Sequence, residues 1–163
     1  MTYSIWLEPS AKDKKYLQNI IYDLAKQYKA PQFTPHITLY SGINNARLTR
    51  KAVHDCRHIT KMKVRVTGIR HSGYIWKTLY FDVGTSKKLA ELNRILAKRL
   101  GNHAKYRFRP HISLIYKKLP NATRRQIAKE ITLKNTLEFA KISIIKSSNV
   151  VRNWTPIMKI SLK

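Results

Sequence analysis

Phe33-Thr-Pro-His-Ile-Thr-Leu-Tyr40 and Phe108-Arg-Pro-His-Ile-Ser-Leu-Ile-Tyr116 are nearly the same phrase written twice in one chain. Each runs Phe, one variable residue, Pro, His, Ile, a hydroxyl residue and Leu. In an extended strand successive side chains face opposite ways. The His and the hydroxyl two residues later therefore share a face, while Ile and Leu point into the core. Each phrase is predicted as a strand, over 33–40 and 108–116, that offers one imidazole and one hydroxyl to a common surface. A lone strand histidine is ordinarily only part of a sheet; two copies, each following a helix and each pre-set by a proline, point to a paired site. The candidate catalytic residues are His36, Thr38, His111 and Ser113.

Outward from the two phrases, residues 3–7 read as a short strand. Leu17, Ile20, Ile21, Leu24 and Ala25 recur at helical spacing within 10–29. Ser41-Gly42 closes the first motif strand, and a polar helix follows at about 45–60. Strands are expected at 61–69 and 74–83, joined across His71-Ser72-Gly73. A helix at 86–100 stopped by Gly101 precedes the second motif strand, with a helix at about 121–133 and strands near 137–146 and 154–162 after it. The pattern is α+β, with helices interleaved among mostly antiparallel strands and no Gly-, Pro- or Ser-rich linker to divide it. A single domain over 1–163 is expected.

The 163 residues are 43% hydrophobic with only 5 Gly and 6 Pro, a composition that excludes disorder and collagen-like repeats. Lys and Arg number 33 against 8 Asp and Glu, a net charge of +25. Residues 1–80 hold 14 of the basic residues and 81–163 hold 19, so the charge covers a folded body rather than a tail. Such an excess attracts polyanions and makes nucleic acid or phosphorylated substrates the first partners to consider. A lone Cys56 fits a reducing compartment, and no apolar run has the length of a membrane span. A cytoplasmic protein, a monomer with no membrane partner, is the expectation.

The paired His-x-[Thr/Ser]-apolar phrases make the chain similar to the two-histidine (2H) phosphoesterases. Ser4-Ile-Trp-Leu7, the first phrase, Trp76-Lys-Thr-Leu-Tyr80 and the second phrase occur in the order of that superfamily's cyclic phosphodiesterase branch, which the chain resembles most over roughly residues 3–120. The resemblance implies two pseudo-symmetric lobes, each an antiparallel sheet with outer helices, and an active-site cleft between them. It also implies a phosphodiesterase that needs neither metal nor cofactor and hydrolyses a cyclic phosphate, either a 2′,3′-cyclic nucleotide or ADP-ribose cyclic phosphate. Alternatives on the same fold are a 2′-5′ oligonucleotide or RNA phosphodiesterase, an RNA-ligase-like enzyme, and a non-catalytic basic RNA-binding protein. Intact His and hydroxyl residues in both phrases argue against the last.

Opening a cyclic phosphodiester needs a base on water and an acid on the departing sugar oxygen, and two imidazoles titrating near neutrality supply both. The Thr38 and Ser113 hydroxyls would donate to the non-bridging oxygens. The resemblance assigns His111 as base and His36 as acid, although the pattern itself is symmetric. In an unbroken strand Arg107 and Arg109 share the face of His111, where they would hold phosphate. Trp6, Tyr40, Trp76, Tyr80 and Tyr116 are candidates for stacking a base. His54 and His58 flank Cys56 at helical spacing, but no further ligand completes a metal set.

Overall fold

Residues 136–147 are rich in the β-branched and aromatic side chains that suit a pleated surface, and they form the longest strand of the computed structural model, which describes residues 1–163. In chain order the elements are β1 (Thr2–Pro9), α1 (Ala11–Tyr28), β2 (Ile37–Ile43), α2 (Ala46–Asp55), β3 (Met62–His71), β4 (Leu79–Val83), α3 (Lys87–Leu100), β5 (His111–Ile115), α4 (Asn121–Glu130), β6 (Thr136–Ser147) and β7 (Thr155–Ser161). Single 3₁₀ turns occupy Ile75–Lys77 and Val151–Asn153.

Every strand pairing is antiparallel, in the order β1-β2-β5-β4-β3-β6-β7, with β6 returning to pair with β1. β6 serves both lobes. One of its edges pairs with β1; the other pairs with β3 at residues 136–139 and with β7 at 141–146. The first lobe is β1, β2, the later part of β6 and β7, with α2 and α3 outside; the second is β3, β4, β5 and the start of β6, with α4 against β3 and α1 against β5. The expected α+β architecture of two antiparallel lobes with outer helices is present. The lobes are not, however, the two halves of the sequence. α1 packs on β5 and α3 on β2, so each motif strand is backed by the helix that precedes the other motif.

The helices hold their lobes through apolar stripes. In α3, Leu89, Leu92, Leu96 and Leu100 recur every three or four residues and are fully buried, each worth roughly 1.5–3 kcal/mol of transfer free energy. The Ser86 hydroxyl starts that helix by accepting the Leu89 N–H. Asp13, in the first turn of α1, is buried, accepts the Glu138 N–H at 2.6 Å and pairs with Lys134, which pins the helix to β6. One continuous cluster of 32 buried residues forms the core. A small second cluster, Ile21, Phe33 and Tyr116 with Trp76, Val151 and Trp154 against it, lies beside the motifs.

The motif strands are shorter than the sequence suggests. Residues 33–36 and 108–110 are not in the sheet, because Pro35 and Pro110 have no N–H to give to a neighbouring strand. β4 begins only at Leu79, so Trp76 stands in a 3₁₀ turn rather than in the expected strand. At the far end of β2 the chain continues past Ser41 to Ile43, through a bulge against β1 where Gly42 takes φ 78°, a backbone that favours glycine.

Candidate active site

The two motifs meet at one point. Ile37 and Ile112 form the single register pair that joins β2 to β5. One residue to either side, an antiparallel register sets His36 opposite Ser113 and Thr38 opposite His111, all four on the face away from the two isoleucines. The histidines are then diagonal neighbours, roughly 7–8 Å apart in a regular pair and somewhat closer at Cβ.

Each imidazole is anchored in the same way. His36 Nδ1 lies 2.7 Å from the Thr34 carbonyl oxygen, and His111 Nδ1 lies 2.8 Å from that of Arg109. A carbonyl only accepts, so Nδ1 carries the proton in both rings, and Nε2 keeps the free lone pair when the ring is neutral. The proline between acceptor and histidine explains the repetition: it holds the residue before it extended, which leaves that residue's carbonyl free of the sheet and within reach of the ring.

His36 and His111 open into one cavity of about 360 Å³. Its walls are Trp6, Trp76, Tyr106, Tyr116 and Trp154, with Tyr74 at the rim; its polar lining is Thr38, Ser4, Ser41 and the turn Ser147-Ser148-Asn149, with Thr2. No lysine or arginine lines it. A larger hollow of about 610 Å³ between α2 and α3, bordered by Arg94, Lys98 and Arg99, lies apart from both motifs and holds none of their residues.

The two histidines differ in surroundings. His36 is 5% exposed and stacks flat on Trp6, with ring centroids 3.6 Å apart and planes 4° from parallel. Burial, opposed by the bond to Thr34 and aided by the nearby His111, lowers its pKa to about 3. His111 is half-buried and meets the edge of Tyr80. Burial lowers its pKa too, and Lys77 adds to this, while the Arg109 carbonyl and Asp82, its register partner on β4, pull the other way. Both imidazoles are thus neutral near pH 7 in the free protein.

The hydroxyls are likewise unequal. Thr38 lines the cavity. Ser113 is buried, donates to the Trp76 carbonyl at 3.2 Å and is not part of the cavity wall. Among the expected substrate-binding residues, Trp76 and Tyr116 line the cavity. Tyr116 is 8% exposed, and burial pushes its phenol up to about 12. It reaches the cavity because β5 ends at Ile115, which releases it from the alternation that would turn it to the core.

Tyr40, Arg107 and Arg109 do not line the cavity. Tyr40 is buried against Tyr106 and donates its hydroxyl to Ala104 at 2.7 Å. The expected placement of Arg107 and Arg109 assumed a strand that begins only at His111; both side chains are exposed, and Arg109 serves the site through its carbonyl. Trp6 stacks on His36 rather than standing free. Away from the site, Cys56 is buried with its thiol donated to Ala52 and pushed up to about 12 by burial, while His54 turns outward to Arg57.

Sequence reasoning missed Trp154, Tyr106 and the 147–149 turn. Trp154 meets Trp6, His36, Trp76 and Tyr116 by edge or face. No periodic signal marks it, since it precedes the last strand by one residue and is brought to the motifs only by the β6–β7 hairpin.

A model of the cyclic phosphodiesterase-like protein family matches residues 1–162. The sequence matches no curated protein. Among solved structures, LigT from E. coli, complexed with 3′-AMP, aligns with a TM-score of 0.62 and 16% identity over 98% of this chain and 96% of its own. TT0787 of Thermus thermophilus aligns at 0.65 and 14%, covering 99% and 98%. Usb1 of Kluyveromyces marxianus aligns at 0.50 and 10%, covering 99% and 97%. At these identities the neighbours speak for the fold, and the full-length family match speaks for membership. With its paired His-x-hydroxyl strands joined at Ile37 and Ile112, this chain belongs to the cyclic phosphodiesterase-like family of 2H phosphoesterases.

Proposed function

We propose that the protein is a metal-independent phosphodiesterase that opens a nucleoside 2′,3′-cyclic phosphate, free or at an RNA end. The observation that carries this reading is the matched anchoring of His36 and His111, which leaves two Nε2 lone pairs toward one aromatic cavity. The absence of any lysine or arginine from that cavity favours a substrate that brings a single negative phosphate into it over ADP-ribose cyclic phosphate, whose pyrophosphate adds two more charges. A LigT structure holds 3′-AMP, the kind of monoester that ring opening at the 2′-oxygen leaves.

Anionic phosphate between the rings favours a proton on one of them. His111, less buried and opposite Asp82, accepts it more readily than His36. The roles therefore run opposite to those drawn from the resemblance. His36 Nε2 takes a proton from water as the water oxygen bonds to phosphorus. The bond from phosphorus to the sugar oxygen breaks, and His111 gives that oxygen its proton. A phosphomonoester and a sugar hydroxyl leave, and solvent exchange restores the two protonation states. Thr38 donates to a non-bridging oxygen, where negative charge grows.

The test is turnover on 2′,3′-cyclic AMP, ADP-ribose cyclic phosphate and 2′-5′ oligoadenylate, with products identified. The cyclic nucleotide is expected to open fastest. Because the acid must be protonated and its pKa lies below 6.5, kcat/KM should fall as pH rises from 6 to 8. No opening of any cyclic phosphate, or a rate that rises over that range, would sink the proposal.

A further inference from the structure

Trp6 and Trp154 line both the catalytic cavity and a second chamber of about 230 Å³, whose other walls include Glu8, Thr34, Arg152 and Lys159. At roughly 30 Å³ per water, it has room for seven or so waters, and so for a phosphate with its oxygens. The two spaces share those two indoles and so adjoin one another. The catalytic cavity has no cation of its own; the chamber has two.

These two cations are not equivalent. Lys159 Nζ pairs at 3.4 Å with the buried Glu8 carboxylate, which also accepts the Ser143 hydroxyl. Arg152 is in none of the five ion pairs of the structure and has an exposed side chain. Its backbone is nonetheless held firmly. Val151 before it and Trp154 after it pack on the Phe33–Tyr116 cluster. The Asn153 and Trp154 N–H groups close the turn on Val150 and Val151, and the Trp154 indole N–H donates to Ser148 at 2.8 Å. A free guanidinium on a pre-ordered turn suits the forked, two-bond recognition of a phosphate at little cost in backbone ordering.

We infer that this chamber is a subsite for the phosphodiester adjoining the reacting nucleotide, with Arg152 as its anchor, so that the protein prefers an oligoribonucleotide end to a cyclic mononucleotide. This rests on the function proposed above, and it is tested by binding as well as by turnover so that the two can fail separately. Equilibrium affinity is measured for adenosine 3′-phosphate and for the diadenylate ApA 3′-phosphate, in wild type, Arg152→Gln and Arg152→Lys. One charge-assisted phosphate contact predicts on the order of 10-fold tighter binding of the diadenylate to wild type, a gain lost in Arg152→Gln, partly kept in Arg152→Lys and weakened by salt. In turnover, Arg152→Gln should raise KM for ApA 2′,3′-cyclic phosphate by about the same factor and leave 2′,3′-cyclic AMP unchanged. No turnover by wild type would overturn the catalytic reading while the binding ratio still decides the subsite. Equal affinity for the two ligands in wild type, or an undiminished diadenylate preference in Arg152→Gln, would overturn the subsite.

Discussion

Replacing His36 with Phe keeps an aromatic ring against Trp6 and removes the buried imidazole whose titration the fold moves from pH 6.5 to about 3. In the unfolded chain that imidazole takes up a proton near pH 6.5; in the folded chain it resists until about pH 3. The unfolded state therefore binds more protons across this window. Stability is fully present above pH 6.5 and is lost as pH falls through the window. With one pKa unit worth about 1.4 kcal/mol, His36 alone should remove about 2 kcal/mol of stability between pH 6.5 and 4.5. Asp13 and Asp55, whose pKa values lie below 3.8 when folded, add nothing until the pH is lower still. His111 acts in the same direction, so wild type should show a slope greater than His36 alone produces. The assay is urea unfolding at half-unit steps from pH 7.5 to 4.5, for wild type, His36→Phe and His111→Phe. Each variant should be flatter than wild type, His36→Phe the more so. A His36→Phe profile parallel to that of wild type would refute the reasoning, because it would mean that the stacked ring is protonated as easily in the fold as outside it.

Three further outcomes are expected. His36→Ala and His111→Ala should each lower kcat by on the order of 10² to 10⁴, with the double variant far short of the product and wild-type turnover unaffected by EDTA; steady-state kinetics on folded protein would show it. Thr38→Ala should lower kcat by on the order of 10² with little change in melting temperature, whereas Ser113→Ala, which strips a buried donor from the Trp76 carbonyl, should instead cost about 1–3 kcal/mol in denaturant unfolding. Trp6→Leu uncovers one face of the His36 ring and should move its titration, followed by NMR, upward toward 6.5.

The paired His-x-hydroxyl phrases, the α+β order of elements and the approximate strand and helix positions were legible in the chain because local patterns carry them. Period-2 alternation, helical apolar spacing and proline all act over a few residues. The same locality explains the errors. Arg107 and Arg109 looked coplanar with His111 only while the strand was taken to run through Pro110, and Tyr40 looked available because alternation says which face a side chain takes but not what covers that face. Trp76 reads as strand from its neighbours, yet it is held in a 3₁₀ turn. Trp154, Tyr106 and Arg152 carry no pattern at all.

What the sequence determined by itself is thus the chemistry: two imidazoles and two hydroxyls in repeated, proline-set strands. Tertiary structure alone decided which groups surround them. The single Ile37–Ile112 register pair makes one site out of two motifs, and the β6–β7 hairpin carries Trp154 to it, and Arg152 to the neighbouring chamber, from the far end of the chain. The inequality of His36 and His111 is decided there too. A pKa depends on water excluded and charges nearby, and for these two rings Trp6, Lys77 and Asp82 come from strands and turns remote in sequence.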